Sequence, residues 1–288
     1  MTKAIVIGAG VGGLATAIRL AKKGYAVEVF EANDYVGGKL STFNLGDYRF
    51  DAGPSLFTMP QFVDALFELC NENPTDFFQY SRKEVACRYF WEDGKRLTGY
   101  GDTERFVEEV EDKLAVPANT LKRYLSKAKK KFDRTRSLFL EHSLHKWHTY
   151  LRKETLIGIA NYFSFEIDTN LNRVNTAQLK EPHLVQFYNR FATYNGSNPY
   201  KTPGMMTLVQ HLEQHYGTYI PKKGMGNISA SLYALAKRMG VSFHLSSPVT
   251  EILIENKKAV GIRVKEKKHA ADLVVSNMDI VPTYRKLL

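Results

Sequence analysis

The hydrophobic and polar positions at the start of the chain predict a strand, a helix and a second strand. Ala4–Ile7 is a short apolar run rich in β-branched residues, which is typical of a buried parallel strand. A helical pattern follows and ends at Gly24, and Ala26–Phe30 then resumes as a strand. The apolar face of the helix consists of Leu14, Ala17, Ile18 and Leu20.

The turn between the first strand and the helix carries a glycine motif. Gly8, Gly10 and Gly13 have G-x-G-x-x-G spacing, and Gly12 lies within it. The first glycine permits a tight turn, the second lets the backbone approach a pyrophosphate, and the third allows close helix–strand packing. The helix N-terminus offers unpaired N–H groups to the phosphates. The motif therefore predicts a dinucleotide site, with a glycine-rich turn that binds no ligand as the alternative.

Glu31 stands at the carboxyl end of the second strand, about 20 residues past the glycines, where an acid can bind ribose hydroxyls. Its charge would repel a 2′-phosphate, which argues against a phosphorylated nicotinamide cofactor.

A signal peptide is a further alternative for this N-terminal stretch. Arg19, Lys22 and Lys23 make the helix basic, and no cleavage pattern follows them, so a signal peptide is disfavoured.

A second glycine pair separates FAD from NAD. Gly37 and Gly38 follow Glu31 and precede Lys39 and Leu40. An extended FAD needs a second backbone segment at its middle, whereas a nicotinamide cofactor has no evident need for one. Together these features resemble the two-dinucleotide-binding flavoprotein superfamily of amine oxidases, protoporphyrinogen oxidases and carotenoid desaturases. The resemblance implies an α/β fold with a Rossmann-like FAD-binding domain.

Later segments narrow the resemblance. Residues 51–60 resemble the D-x-G-P-S-x-x-T-x-P signature of bacterial and fungal-type phytoene desaturases. That match implies that Gly53, Pro54 and Ser55 lie at the flavin, although these residues taken alone favour a strand end followed by a Gly-Pro turn. Residues 190–200 resemble R-x-A-T-Y-x-G-S-x-P-Y, and residues 271–279 resemble A-D-x-V-V-S-N-x-D of the same enzymes. The resemblance also implies that Val249 contacts the adenine.

One position departs from the family pattern. The family has P-K-G-G-M where this chain has Lys223 in place of the first glycine. If that position needs a positive φ, lysine carries a steric cost. Family members also continue beyond the last matched strand into a glycine-rich motif that covers the flavin. Since the sequence lacks that motif, we expect it to be the N-terminal part of such a protein.

The pattern predicts a discontinuous domain organisation. We expect an FAD-binding domain from residues 1–75 and 220–288, with a mainly helical substrate domain inserted at 76–219. Within the insertion, residues 103–170 are expected to be helical, basic and membrane-facing. Amphipathic helices with Lys and Arg opposite Trp, Phe and Leu can lie at a bilayer interface. A solvated charged helix packed on its own core is the alternative, and nucleic-acid binding is disfavoured because no nucleic-acid module surrounds the patch.

The distribution of basic residues along the chain also favours a membrane-facing segment within the insertion. The formal net charge is +10, and most of it falls in the segment from Thr120 to Glu154. The basic residues of that segment are Lys122, Arg123, Lys127, Lys129, Lys130, Lys131, Arg134, Arg136, Lys146, Arg152 and Lys153. The positive charge is therefore a local patch, which predicts peripheral membrane association of a cytoplasmic protein through Lys122–Lys153.

The sequence gives no support for a disulfide, a membrane-spanning segment or a metal site. Cys70 and Cys87 lack metal spacing and are expected to be reduced thiols. The sequence contains no run of about 18 apolar residues, the length that a membrane-spanning helix needs. Two histidine sets, His142/His145/His148 and His211/His215, lack the ligands or the H-E-x-x-H order of a metal site, so no metal is predicted.

The resemblance implies an FAD-dependent carotenoid desaturase. Such an enzyme removes a hydride and a proton from adjacent carbons of an acyclic polyene, and the choice between phytoene and a hydroxylated carotenoid stays open. No His, Asp or Glu stands in a diagnostic constellation, so no catalytic residue is predicted. The alternatives are another flavin oxidase of the superfamily, acting on an amine or a porphyrinogen, and a non-catalytic flavoprotein remnant.

Overall fold

A computed structural model describes residues 1–136, 146 and 162–288 of the chain. In chain order its strands are β1 (Lys3–Ile7), β2 (Ala26–Phe30), β3 (Ser41–Leu45), β4 (Tyr48–Ala52), β5 (Tyr80–Arg82), β6 (Val85–Phe90), β7 (Arg96–Tyr100), β8 (Tyr219–Pro221), β9 (Ser242–His244), β10 (Val249–Glu255), β11 (Lys258–Val264), β12 (Lys267–Ala270) and β13 (Leu273–Ser276). The α-helices are α1 (Val11–Lys22), α2 (Gln61–Leu69), α3 (Thr103–Leu114), α4 (Ala118–Arg136), α5 (Leu171–Leu179), α6 (Pro182–Asn189), α7 (Gln210–Gln214), α8 (Gly226–Arg238) and α9 (Ile280–Pro282). Short 3₁₀ helices span Pro74–Asp76, Tyr162–Phe165, Arg190–Asn195 and Gly204–Val209, and a π turn spans Thr283–Leu287.

The chain forms two compact units. The first consists of Met1–Ser81 together with Tyr219–Leu288, and the second consists of Arg82–Thr218. We call them the nucleotide-fold unit and the inserted unit.

The nucleotide-fold unit is built on a parallel sheet in the order β13-β1-β2-β9. Successive side chains of β1 point to opposite faces of this sheet, as the period of a strand requires. Ala4 and Val6 pack with α1 and α8, whereas Ile5 and Ile7 pack with the antiparallel β10–β11–β12 sheet. Because both faces of β1 are covered, Ala4–Ile7 is apolar at every position, and this explains the uninterrupted hydrophobic run.

The inserted unit packs its helices and the β6–β7 hairpin around a separate apolar core. The core includes Phe106 and Val110 of α3, Leu121 of α4, and Leu184 and Tyr188 of α6. Thr103 begins α3 because the Asp102 carboxylate caps it, accepting a hydrogen bond from the backbone N–H of Arg105 at 2.8 Å.

One basic residue of the segment that is predicted to face the membrane is buried in the structure. The sequence of α3 is rich in Glu and Asp, so the basic character begins only with α4. Within α4, Lys131 is 5% exposed. Its ammonium pairs with Glu166 and donates to the Thr207 hydroxyl at 2.8 Å. Burial lowers the pKa of Lys131, and the paired Glu166 opposes this effect. Lys131 therefore belongs to the core of the unit and not to a basic surface.

Several other expectations change or fall outside the described residues. The 3₁₀ helix Gly204–Val209 runs directly into the short α7. His142, His145, His148, Arg152 and Lys153 lie outside the described residues. In the ranges that the structure describes, no helix is both long enough and apolar enough to cross a bilayer.

Candidate cofactor site

The glycine turn after β1 is held by backbone contacts. The N–H of Gly8 donates to the carbonyl of Phe30 at the end of β2, at 2.7 Å, and the N–H of Leu14 donates to Gly10 as α1 begins. A Cβ at Gly13 would lie 2.0 Å from the carbonyl oxygen of Gly8. Because that contact is with rigid backbone, only glycine lets α1 start this close to the turn.

The second glycine segment lies against the first. The N–H of Gly37 donates to the carbonyl of Ala9 at 2.8 Å, and Gly10 and Gly37 form a parallel bridge. A Cβ at Gly38 would lie 3.4 Å from the Cα of Gly10. The two glycine segments, separate in the sequence, therefore form one surface of exposed backbone.

Glu31 is a buried carboxylate, 6% exposed, at the end of β2. One of its oxygens accepts from the N–H of Ala9 at 2.6 Å. The other accepts from both the backbone N–H and the side-chain amide of Asn33, at 3.0 and 2.8 Å. An ionised carboxylate offers about four acceptor positions, so these three donors leave capacity for a further hydroxyl. Glu31 thus ties the first glycine turn to the end of β2 and can still accept from a ligand.

Asn277 is a site residue to which the sequence assigned no role. It follows β13, and its N–H donates to the carbonyl of Ile7 at 2.8 Å. Its side chain lies over the glycine turn: a Cβ at Gly12 would be 2.6 Å from its Oδ1, and one at Gly13 would be 3.1 Å from its Nδ2. The signal was available, because the carboxyl ends of parallel strands meet at one edge of a sheet, where ligands bind.

A cavity of about 720 Å³ opens at this edge of the nucleotide-fold unit. Nine of the predicted site residues line it: Gly8, Gly10, Glu31, Gly37, Gly38, Lys39, Leu40, Pro54 and Val249. Gly12, Gly13, Gly53 and Ser55 do not line it. Residues that the prediction missed also contribute, namely Ile7, Val11, Phe30, Ala32, Pro248, Asn277, Met278, Asp279 and Leu287.

Asp51, the first residue of the loop that resembles the desaturase signature, holds another element in place. The carboxylate of Asp51 accepts from the N–H groups of Met225 at 2.8 Å and Gly226 at 3.2 Å, where α8 begins. Two residues later Gly53 has φ +129°, and a Cβ there would be 1.9 Å from the carbonyl of Lys39. Asp51 therefore anchors the N-terminus of α8, and Gly53 lets the loop lie on the second glycine segment.

The steric cost expected at Lys223 is absent. Among the described residues with positive φ, Gly224 appears at +80° and Lys223 does not. A Cβ at Gly224 would lie 2.6 Å from Asp51. The carbonyl of Lys223 accepts a hydrogen bond from Arg49. The conformational requirement therefore falls on Gly224, and Lys223 occupies an ordinary backbone position.

The donor set of the cavity suits a dinucleotide. Exposed backbone at two glycine segments, the N-terminus of a twelve-residue helix and a buried carboxylate converge on one opening. Among the described residues, no group of three or more His, Cys, Asp or Glu could hold a metal ion.

Family comparison decides the class of protein. The model of the family described as flavin containing amine oxidoreductase matches residues 11–284. The chain belongs to this family. The predicted flavin cofactor is thereby confirmed, as is the α/β flavin-binding fold.

Curated relatives confirm the resemblance to carotenoid enzymes. A 1-hydroxycarotenoid 3,4-desaturase of Flavobacterium sp. is 48% identical over 288 residues, covering 100% of this chain and 59% of the relative. A 4,4'-diapolycopene oxygenase of Methylomonas sp is 34% identical over 289 residues, covering 99% of this chain and 57% of the relative. The chain therefore spans somewhat more than half the length of these relatives.

Solved structures share the fold. An oxidoreductase from Methanosarcina mazei has a TM-score of 0.64 at 22% identity, covering 99% of this chain and 61% of that protein. A putrescine oxidase variant also has a TM-score of 0.64, at 16% identity, covering 100% of this chain and 60% of that protein. Identities this low establish the fold alone.

Proposed function

We propose that the chain belongs to an FAD-dependent carotenoid desaturase, acting on an acyclic carotene or a hydroxylated carotenoid. The observation that carries the proposal is the 48% identity to a 1-hydroxycarotenoid 3,4-desaturase over the whole chain, cofactor cavity included.

The cofactor cavity would hold the dinucleotide part of FAD. Gly10 and Gly38 have no side chains, so their backbone N–H groups could approach and bind the pyrophosphate. The carboxylate of Glu31 could accept a hydrogen bond from a ribose hydroxyl. Val249 lines the cavity beside Pro248, where the adenine is expected. FAD, when bound, supplies the hydride acceptor for the dehydrogenation. These residues bind and orient the cofactor, and no described residue is assigned as the catalytic base.

The inserted unit would receive the polyene and contact the membrane. Its helix α4 exposes Lys122, Arg123, Lys127, Lys129 and Lys130. Each basic residue close to an anionic leaflet contributes about 1 kcal/mol of attraction. Peripheral association through this face would bring an apolar substrate to the protein without a membrane-spanning helix.

A second candidate is oxygenation of a carotenoid end. The observation in its favour is the 34% identity to a 4,4'-diapolycopene oxygenase over 99% of the chain. The two functions share the cofactor and the polyene but differ in their products, because desaturation removes two hydrogens and oxygenation adds oxygen.

The test uses the whole gene product with FAD in liposomes that contain either a carotene or a 1-hydroxylated carotenoid. Desaturation predicts absorption maxima at longer wavelength and product masses lower by two hydrogens per step. A Gly13→Ala variant serves as a cofactor-deficient control. Unchanged spectra with every carotenoid would contradict the assignment, and a gain of oxygen mass would establish the second candidate.

A further inference from the structure

The inserted unit contains a second cavity, of about 690 Å³, which is lined by both polar and apolar residues. It lies where α3 ends, α4 begins and α5 ends. Three cationic side chains line it, Arg123 and Lys127 from α4 and Lys180 from the residue after α5. The hydroxyl-bearing Thr120 lines it as well.

Pairing of the α4 cations is selective. Lys122 pairs with Glu104 at 2.6 Å and Lys129 pairs with Asp133 at 2.5 Å, both away from the cavity. The buried Lys131 pairs with Glu166. By contrast, within the part of the chain that the structure describes, no ion pair or side-chain hydrogen bond engages the cations of the cavity. The three cations that line the cavity therefore have no carboxylate partner among the described residues, and neither does Lys130, which lies outside the cavity lining.

The cavity cations are also arranged unfavourably for the chain alone. Arg123 and Lys127 are four residues apart and therefore neighbours on one face of α4, where like charges destabilise a helix. Lys180 adds a third positive charge from another element. An anion between them would replace mutual repulsion by attraction and by charge-assisted hydrogen bonds.

The carboxylate that lines the cavity does not neutralise these cations. One oxygen of Glu181 caps α6 by accepting from the N–H of Leu184 at 2.7 Å. The other is 2.7 Å from Nδ1 of His183 and 3.6 Å from the ammonium of Lys95. Glu181 is therefore committed to groups outside the cationic set, and the cavity keeps a net positive charge.

We propose that this cavity binds the phosphate of an anionic phospholipid head group. The inference rests on the proposed function, in which the inserted unit takes a polyene from a membrane. Guanidinium and ammonium groups recognise phosphate, and the volume exceeds that of a phosphate alone, leaving room for a glycerol. A soluble phosphate ester shares this chemistry, and the experiment distinguishes the two sources.

The experiment measures co-sedimentation of the full 288-residue chain with phosphatidylcholine vesicles, with and without phosphatidylglycerol. A cavity triple variant, Arg123→Gln, Lys127→Gln and Lys180→Gln, is compared with Lys122→Gln, Lys129→Gln and Lys130→Gln. Both triples remove the same charge, so general attraction, about fivefold per residue, falls equally. If the cavity cations contact phosphate directly, the cavity triple variant should lose about a further tenfold in affinity for phosphatidylglycerol vesicles.

A measurement on the unmodified chain does not depend on how the variants fold. Lysine acetylation, followed by mass spectrometry, should show that phosphatidylglycerol vesicles protect Lys127 and Lys180, which line the cavity, more than Lys130, which does not; all three are exposed in the free chain. Equal losses in the two triples, or equal protection of the three lysines, would overturn the proposal. Protection by inorganic phosphate but not by vesicles would also overturn it, in favour of a soluble ligand. No carotenoid or flavin is added, so a failure of desaturation leaves this result unaffected.

Discussion

Replacing Glu31 by Gln tests whether one carboxylate both holds the glycine turn and prepares the cofactor cavity. The carboxylate receives three N–H donors, one from Ala9 and two from Asn33. An amide keeps only one oxygen. If that oxygen stays with Asn33, the new NH₂ group faces the N–H of Ala9, and two donors oppose each other without an acceptor.

The expected cost follows from these contacts. A hydrogen bond to a charged group contributes about 1.5–3 kcal/mol, so losing the contact to Ala9 should lower the free energy of unfolding by about 2 kcal/mol. Loss of the charged acceptor for a ribose hydroxyl should weaken FAD binding by about 10- to 100-fold. The first effect appears without cofactor, and the second appears only on titration with FAD.

The control is Glu28→Gln, the same chemical change three residues earlier, within β2. Glu28 pairs at a partly exposed position with Lys3 at 2.7 Å and His244 at 3.0 Å. Exposed ion pairs contribute about 0–1 kcal/mol, so this variant should lose less. The assays are urea denaturation, amide hydrogen exchange at Ala9 and flavin fluorescence. Equal destabilisation of the two variants, or full exchange protection of Ala9 in Glu31→Gln, would refute the reasoning.

Three further predictions concern the turn, the α8 anchor and a buried histidine. Gly13→Ala should lower the free energy of unfolding by about 1–3 kcal/mol and abolish flavin binding, because its Cβ would meet the Gly8 carbonyl. Asp51→Ala should lower the free energy of unfolding by about 1–2 kcal/mol, because the N-terminus of α8 loses the carboxylate that accepts its N–H groups. Asp51→Asn should recover part of that loss, and thermal denaturation measures both. Burial, and next the neighbouring His215, lower the pKa of His211 to about 4 from its usual 6.5. Protons therefore bind the unfolded chain preferentially between pH 6.5 and 4, so stability should fall with decreasing pH, by at most about 1.4 kcal/mol per unit, and His211→Phe should flatten that dependence.

Each of these has its own control and contrary outcome. Gly12→Ala meets only the movable side chain of Asn277, so it should be milder than Gly13→Ala, and the reverse order would contradict the packing argument. A fully stable Asp51→Ala protein would show that the cap is unimportant. Identical pH dependence of His211→Phe and the unchanged chain would assign the acid sensitivity to other groups.

Local pattern determined much of the cofactor fold. The run Ala4–Ile7 is apolar at every position because both faces of β1 are covered, and this is visible in the sequence as an unbroken hydrophobic segment. The spacing of Gly8, Gly10 and Gly13 is equally local, since a turn between adjacent elements depends on neighbours in the chain. Such features could be predicted because their physical cause lies within a few residues.

Contacts between distant segments were decided only by the tertiary structure. Asn277 reaches the glycine turn because β13 pairs with β1, a contact across most of the chain. Asp51 caps a helix that begins at Gly226, so a residue of the family signature proves to be a structural anchor. Residue type alone carries no record of which distant donor a carboxylate or amide will meet.

The same limit applies to charge. Counting lysines located a basic segment correctly, but it could not separate Lys131, which is buried against Glu166, from Lys127, which lines a cavity without a described carboxylate partner. A lysine's pairing and burial depend on the elements packed around it. The sequence by itself determined the flavin-type fold and the class of cofactor, whereas folding decided which charges are structural and which remain available to a ligand.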